Sequence, residues 1–240
     1  MLTSNFRRKN GGFTLAEVLI TLGIIGVVAA MTIPNLITNY KAKRLRTQFL
    51  KSYSVLQQAF KQMESDDVSL DPTLYGKTAQ TKFYRTFMNY LQAPMDCGEN
   101  SANNKKESLP CYNLNDNTKM KSYKNYNNKS NVSTFLLDDG QIVLQDGSQL
   151  FFENDLSTNY IWISVDLNGY NNPPNRWGYD LFTFQFLDEE LRPMGNAKTQ
   201  YNNLTIYCDK TSNNDYNGIA CAQKAKDDTD YFKKLVKEFK

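Results

Sequence analysis

An apolar stretch near the N-terminus constrains this chain more than any other feature. Residues 11–34 read GGFTLAEVLITLGIIGVVAAMTIP, and the apolar run that starts at Phe13 continues to about Ile37. About 20 apolar residues are enough for a helix to span the hydrocarbon core of a bilayer, so the run predicts a transmembrane helix over residues 13–37. Glu17 is the one charged residue inside the run. Because an ionisable side chain in a membrane span is costly, we interpret Glu17 as functional.

The order Gly-Phe-Thr-Leu-x-Glu, followed by an apolar helix, resembles the N-terminal processing motif of type IV pilins and of the pseudopilins of type II secretion. The resemblance implies that a prepilin peptidase cuts between Gly12 and Phe13 on the cytoplasmic side and methylates the new N-terminus. It therefore implies a leader peptide of residues 1–12 and makes Glu17 the fifth residue of the mature chain. Pro34 also matches a helix-breaking proline that is common in the membrane half of the family's helix.

The charges in the motif suggest how subunits assemble. Cleavage after Gly12 would expose a cationic amine at Phe13, one helical turn from Glu17. In a filament, Glu17 of one subunit is expected to pair with the Phe13 amine of its neighbour, and a buried ion pair of this kind specifies register more than it adds stability. Two other interpretations stay open, namely a secretory signal peptide cleaved after Val28-Ala29-Ala30 and a plain single-pass anchor. Basic residues flank both ends of the run, so the positive-inside rule does not decide its orientation.

Composition narrows the possible functions. The chain of 240 residues has a formal charge of +3, but the predicted leader holds three basic residues and no acidic residue, so the mature chain is near neutral. Nucleic-acid binding relies on a basic surface, and we do not expect a nucleic-acid partner. Histidine is absent, which excludes Ser-His-Asp triads, Cys-His pairs and His-containing metal sites. We therefore expect a protein that is not an enzyme and requires no cofactor.

The cysteines indicate an oxidising compartment. An even number of cysteines in a chain with an export segment is typical of a disulfide framework. Three connectivities are possible, and we favour two local pairs, each closing a loop rich in Asn, Lys and Ser. Closing such a loop stabilises the fold by about 3 kcal/mol in the chain-entropy model. The favoured pairs are Cys97–Cys111 and Cys208–Cys221.

Helical periodicity continues beyond the membrane segment. Apolar residues between positions 45 and 63 form one stripe at helical spacing, which predicts that the first helix extends to about residue 64. Such a helix would be roughly 75–80 Å long, and Pro34 is expected to kink it. A shorter helix is predicted over residues 81–91, and Asp227-Asp228-Thr229 is expected to cap a final amphipathic helix.

The remaining chain predicts an antiparallel sheet of about four or five strands laid against the long helix. Asp139-Gly140 and Asp146-Gly147 are strong hairpin signals between the first three strands, and Asp188-Glu189-Glu190 is interpreted as a solvated turn. The fold class is therefore α+β, as the pilin resemblance also implies, with a globular domain over residues 38–240 and its sheet over about 134–207. The β-rich runs are residues 134–137, 141–145, 148–153, 160–165, 181–187 and 204–207.

The segment between two of these runs carries the main candidate for a ligand site. Asp166, Asn168, Asn175 and Asp180 can offer oxygen ligands to a calcium ion, which takes six to eight. The pilin resemblance adds that some pseudopilins have a calcium-stabilised loop between strands. The spacing departs from an EF-hand, and the Asn, Gly and Pro content is equally typical of turns in which Asx side chains cap their own backbone. Both interpretations stay open.

Together these features predict a pilin or pseudopilin subunit with a single pass through the inner membrane and its C-terminal domain outside the cytoplasm. The resemblance implies four kinds of partner: other pilin or pseudopilin subunits, the prepilin peptidase, an assembly ATPase and a platform protein. The alternative is a membrane-anchored or secreted module that binds a surface, a sugar or an exoprotein without forming a filament. The sequence does not distinguish a secretion pseudopilus from a true pilus or a DNA-uptake filament.

Overall fold

The first helix has the extent that the sequence predicts. In the computed structural model, helix α1 spans Leu15–Ser65 with Pro34 inside it. The chain divides into two compact units, Met1–Lys41 and Ala42–Lys240, which we describe separately. The structure describes residues 12–75, 82–99, 110–111, 123–154 and 160–239, so the predicted leader lies outside them except for Gly12.

In the first unit, α1 turns its apolar side chains outward along the whole predicted span. Ile24 is 60% exposed and Phe13 is 89% exposed. The helix contains a window apolar enough to cross a membrane, and none of that window is buried. Because a continuous apolar surface of this size is unfavourable in water, it marks a membrane or protein contact. The first unit therefore fits a membrane anchor.

The second unit is built on an antiparallel sheet. Six strands form within the described residues, and each pairs with the next in chain order. The strands are β1 Met95–Gly98, β2 Gly140–Val143, β3 Gln149–Glu153, β4 Ile161–Asp166, β5 Leu181–Leu187 and β6 Glu190–Pro193. The shorter helices are α2 Phe83–Met88, α3 Leu204–Tyr207, α4 Cys221–Asp227 and α5 Tyr231–Glu238. This arrangement confirms the predicted α+β class.

One face of the sheet packs against the second half of α1. Phe49 is fully buried, and its ring lies 4.9 Å from that of Phe182 and 5.8 Å from that of Phe232 on α5. Further along, the rings of Phe60 and Phe186 stack at 4.4 Å. The predicted apolar stripe is thus the core-facing side of the helix. Each aromatic side chain buried in this way stabilises the fold by roughly 1.5–3 kcal/mol relative to exposure.

Loops cover the opposite face of the sheet with a second apolar cluster. Its largest member is Trp177, which is fully buried and donates from its indole nitrogen to Thr183 Oγ1 on β5 at 3.1 Å. Tyr123, Phe151 and Met194 pack in the same cluster. Both faces of the sheet are therefore buried, which explains why nearly every residue of β2 to β5 is inaccessible.

Two predicted strands are wrong. Residues 134–137 contain a 3₁₀ turn, Thr134–Leu136, because β2 is already paired on both sides and leaves no free sheet edge for this run. Residues 204–207 form the short helix α3, because Asn203 caps it by accepting a hydrogen bond from the Thr205 backbone nitrogen at 3.1 Å. The sheet instead gains β1 and β6, which the sequence analysis did not predict.

Of the predicted turns, some are confirmed and one is wrong. Asp188 and Glu189 both have positive φ and join β5 to β6 as a two-residue hairpin, so that turn is confirmed. Gly147, at φ +84°, also lies in the turn between β2 and β3. The Asp139-Gly140 hairpin is wrong, because Gly140 is the first residue of β2 and pairs with Phe152. A Cβ at position 140 would lie 2.2 Å from the Tyr84 ring, so close packing requires this glycine.

The disulfide pairing is confirmed. Cys97–Cys111 joins Cα atoms 5.5 Å apart, and Cys208–Cys221 joins Cα atoms 5.0 Å apart. The helix predicted over 81–91 is shorter than expected, and α5 bears the apolar face expected of the final amphipathic helix. The second disulfide connects the end of α3 to the start of α4, so it closes the loop between these two helices.

Candidate functional site

Three reciprocal hydrogen bonds between Thr14 and Glu17 close the start of α1. The Thr14 backbone nitrogen and hydroxyl both donate to Glu17 Oε2, at 2.8 and 2.9 Å. In return, the Glu17 backbone nitrogen donates to Thr14 Oγ1 at 3.2 Å. Thr14 and Glu17 thus form a capping box, in which a hydroxyl and a carboxylate satisfy backbone groups at a helix start. The Thr-x-x-Glu spacing is a sequence signal for this box, and the reasoning from sequence missed it.

Glu17 therefore has a local role besides the assembly role predicted for it. Its Oε2 atom carries both hydrogen bonds to Thr14, whereas Oε1 accepts none within the described part of the chain. The side chain is exposed, as are those of its neighbours on the helix. One oxygen of the carboxylate can thus hold the helix start while the other remains available to a second group.

Phe13 and Pro34 lie on either side of the apolar surface. Phe13 precedes the helix and is exposed, which leaves the predicted cleavage point accessible. Pro34 lies inside α1, and the helix continues through it without interruption. The Thr38 hydroxyl donates to the Pro34 carbonyl oxygen at 2.9 Å. A kink at Pro34 stays a prediction.

The second candidate site is the loop between β4 and β5, which is bounded by two buried acids. Asp166 ends β4, Asp180 precedes β5, and both are fully buried. Burial raises the pKa of Asp166 to about 6. Burial, reinforced by the charge of Asp166, raises the pKa of Asp180 well above its usual value. Two buried carboxyl groups that sense each other repel when both are ionised, so the loop favours a bound proton or a cation.

Backbone groups hold both acids in place. Asp166 accepts from the backbone nitrogens of Asn168 and Gly169 at 3.1 and 2.9 Å. Its other oxygen accepts from the Tyr123 hydroxyl at 2.6 Å. Asp180 accepts from the backbone nitrogens of Asn175 and Arg176, at 3.0 and 2.6 Å. These bonds fix the orientation of both carboxylates.

Amide side chains in the same loop leave oxygen atoms without partners. The Asn175 side chain is fully buried and donates through Nδ2 to the Tyr170 carbonyl oxygen at 2.6 Å. Asn168 donates through Nδ2 to the Asn172 carbonyl oxygen. Within the described residues, neither Asn168 Oδ1 nor Asn175 Oδ1 has a hydrogen-bond partner. The four predicted calcium-site residues thus lie in one loop, and two of them carry unsatisfied oxygen atoms.

The sheet adds one residue that the sequence analysis missed. Gln149 on β3 lies directly opposite Asp166 on β4 and is buried, with neither side-chain polar atom bonded to a described residue. Only the strand register places it there, so no sequence signal indicates it. In the part of the chain described, no group of three or more His, Cys, Asp or Glu side chains is arranged so that it could hold a metal ion. A cation here would depend on amide and carbonyl oxygens beside the two carboxylates.

Comparison with known families concerns the first unit. A profile described as the prokaryotic N-terminal methylation motif matches residues 7–33. The chain carries the prepilin-type signature of type IV pilins and pseudopilins. The searches of curated proteins and of solved structures returned no significant match.

The prepilin signature covers some of the predicted site residues and not others. Gly12, Phe13 and Glu17 lie inside the matched range, and Pro34 follows it directly. The cysteines and the β4–β5 loop lie outside it. The signature and the long apolar helix together fit a pilin or pseudopilin, and they indicate a structural subunit.

Proposed function

We propose that the chain is a structural subunit of a type IV pilus or a type II secretion filament. The observation that carries the proposal is the prepilin signature at residues 7–33, because it coincides with the exposed, apolar first part of α1. A helix of this kind suits both a lipid bilayer and the core of a filament. It spans the membrane before assembly and packs against other copies in a filament afterwards.

The proposal includes processing and partners. The prepilin peptidase would cut between Gly12 and Phe13 and methylate the Phe13 amine. The subunit would wait in the inner membrane with its sheet unit outside the cytoplasm, and an assembly ATPase and a platform protein would move it into the filament. These roles are supported by the signature and by two disulfides, which form in oxidising compartments.

Within the filament, Glu17 is proposed to pair with the Phe13 amine of a neighbouring subunit. The capping box supports this role, because it fixes the Glu17 side chain through Oε2 and leaves Oε1 available to an incoming cation. A carboxylate held in one orientation loses less conformational entropy when it binds.

The mass of the mature N-terminus, measured on protein from native membranes, tests the pathway. A chain that starts at N-methylated Phe13 supports the proposal. A chain that starts at Met31 would indicate a conventional signal peptide and overturn it. An uncleaved chain starting at Met1 would indicate a plain anchor and favour a binding module.

A pair of variants separates the two roles of Glu17. Glu17→Gln keeps an oxygen acceptor for Thr14 but removes the charge, whereas Thr14→Ala removes the capping hydroxyl and keeps the charge. If pairing with the amine drives assembly, Glu17→Gln inserts in the membrane but fails to enter filaments, and Thr14→Ala still assembles. Normal filament incorporation by Glu17→Gln would show that Glu17 serves only as a cap.

We also propose that the β4–β5 loop binds calcium through Asp166, Asn168, Asn175 and Asp180. The donors fit this ion, because calcium prefers carboxylate and amide oxygens and tolerates irregular geometry. The proposal is supported by the two buried carboxyl groups and by the unsatisfied Oδ1 atoms of Asn168 and Asn175. The ion would neutralise the acids and cross-link the loop ends.

Thermal unfolding of the full chain in detergent tests this second proposal. Calcium should raise the melting temperature, and a chelator should return it to its starting value. Magnesium at equal concentration serves as the control, because its smaller octahedral shell suits this irregular donor set less well. A melting temperature that is unchanged by calcium and by the chelator would overturn the proposal.

A further inference from the structure

A row of aromatic rings lies on the second unit, over the apolar cluster that contains Trp162 and Trp177. The ring of Tyr201 stacks on Tyr216 at 5.3 Å and meets Tyr207 edge-on at 4.9 Å. Tyr201 also contacts Trp162 at 5.6 Å, and Trp162 stacks on Tyr160 at 4.6 Å. Tyr216 is 37% exposed, and the other three tyrosines are partly exposed. We call these four tyrosines the tyrosine patch.

The hydroxyl groups of the patch are available to a ligand. None of the four has a hydrogen-bond partner among the residues that the structure describes, whereas the buried Tyr123 and Tyr231 donate to Asp166 Oδ2 and the Gly178 carbonyl oxygen. Beneath the patch, the indole nitrogen of Trp162 is also buried without a described acceptor. Burial raises the pKa of Tyr201 to about 12, so its hydroxyl stays protonated at neutral pH.

A disulfide and hydrogen bonds support the segments that carry the patch. Tyr216 lies in the loop closed by Cys208–Cys221. Inside this loop the fully buried Asn217 donates to the carbonyl oxygens of Asp209 and Ser212 at 2.7 and 3.1 Å.

Tyr201 is fixed from the other side. The backbone nitrogen of the preceding residue, Gln200, donates to Gln185 Oε1 on β5 at 2.9 Å. Rings that are held in place in this way lose little entropy on binding, which favours recognition of a small or shallow ligand.

The surroundings indicate the chemistry of that ligand. No lysine or arginine occurs within two residues of any patch tyrosine along the chain, and Lys198 and Lys210, three residues away, are ion-paired with Asp188 and Glu238. The neighbours along the chain are mainly amides and threonines, with two acids. This composition does not suit phosphate, sulfate or nucleic acid, which are recognised by basic side chains. Flat rings with free hydroxyls offer both an apolar face and hydrogen-bond donors. A pyranose ring matches them, because it presents a C–H face and a rim of hydroxyls.

We propose that the tyrosine patch binds a neutral glycan, with one sugar ring stacked on Tyr216 and its hydroxyls bonded to neighbouring tyrosines. The proposal goes beyond the filament role, since the patch lies wholly in the second unit and would bind whether or not the subunit assembles. Tyrosine is also enriched in protein–protein hot spots, so a protein partner is the alternative that the sugar titration below tests.

The test uses the full chain in lipid nanodiscs, titrated with four neutral oligosaccharides: chitotetraose, cellotetraose, maltotetraose and mannotetraose. Tryptophan fluorescence reports binding, because Trp162 contacts the patch while the fully buried Trp177 lies outside its ring contacts. We expect a saturable change with at least one sugar at millimolar concentration. A sulfated heparin tetrasaccharide should bind no more tightly.

Variants locate the site. Tyr216→Ala should weaken binding about tenfold, and Tyr216→Phe, which removes only the hydroxyl, should weaken it by less. Phe135→Ala removes a ring that is 76% exposed elsewhere on the second unit and should leave affinity unchanged. Melting temperatures of all variants show that each is folded.

Two results would overturn the proposal. One is the absence of a saturable change with all four neutral sugars. The other is equal weakening by Tyr216→Ala and Phe135→Ala.

Discussion

The two units of the chain differ in the exposure of their apolar side chains. In the second unit, Phe49 and the rings around it are fully inaccessible, and both faces of the sheet are covered. In the first unit, Phe13, Ile24 and their neighbours are mostly exposed. The second unit buries its apolar surface within itself, whereas the first leaves a continuous apolar surface that fits a membrane anchor. The same residue types therefore build a core in one unit and an exposed surface in the other.

The largest effect is expected in the core of the second unit. Phe49→Ala should lower the free energy of unfolding by about 3–5 kcal/mol, because it empties a site enclosed by Phe182, Phe184 and Phe232. Denaturant unfolding of the full chain in detergent, followed by tryptophan fluorescence, measures it. The control is Leu50→Ala on the exposed side of the same helix, for which a change below about 1 kcal/mol is expected. Equal effects of the two variants would remove the contrast between the units.

A somewhat smaller loss is expected from the second disulfide. Replacing Cys208 and Cys221 by alanine should cost about 3 kcal/mol, since it reopens a loop with a sequence separation of 13. The matched control replaces Cys97 and Cys111, separated by 14 residues, and should cost a similar amount. An unchanged denaturation midpoint in the first double variant would show that packing alone holds the 208–221 loop.

The buried acids predict an inverse dependence on pH in the absence of calcium. In the folded state the pKa of Asp166 is raised to about 6 and that of Asp180 is raised well above its usual value. Their contribution to stability is therefore complete below about pH 4 and is lost as the pH rises through these folded-state values, starting at about 6 for Asp166. The loss should be on the order of 1–3 kcal/mol and should shrink in Asp180→Asn. Melting temperatures across this range, with chelator, measure it.

The measurement of melting temperature against pH has two controls. Asp146→Asn removes a partly exposed acid whose pKa is lowered, so it should not reproduce the effect of Asp180→Asn. Calcium at neutral pH should restore the stability lost by the wild-type chain. A wild-type profile identical to that of Asp180→Asn would contradict the coupling between the two acids.

The smallest effect on folding is expected in the first unit. Ile24→Ala should change the unfolding free energy of the second unit by less than about 0.5 kcal/mol, because Ile24 belongs to the first unit and its side chain is 60% exposed. Filament yield, measured by shearing and sedimentation, should fall, since a contact surface between copies is reduced. A stability loss approaching that of Phe49→Ala would show that the first unit also has a folded core.

Features that depend only on residues close together in the sequence were predictable from the sequence alone. The apolar span around Glu17 and the prepilin signature need only local order, and so do the helical stripe through Phe49 and the turn at Asp188-Glu189. The disulfide pairs were also predicted, because each closes a short loop whose ends are near each other in any compact fold. In these cases the sequence determines the structure through local geometry or through the length of the membrane.

The tertiary structure decided what depends on neighbours. A short apolar run forms a strand only where a sheet edge is free, and β2, the strand next along the chain from residues 134–137, is already paired on both sides. The glycine at position 140 is explained only by the Tyr84 ring beside it. The approach of Gln149 to Asp166 follows from strand register, and the tyrosine patch joins segments far apart in the chain. Such long-range pairings have no local signature, because the energy that selects them comes from packing between distant residues.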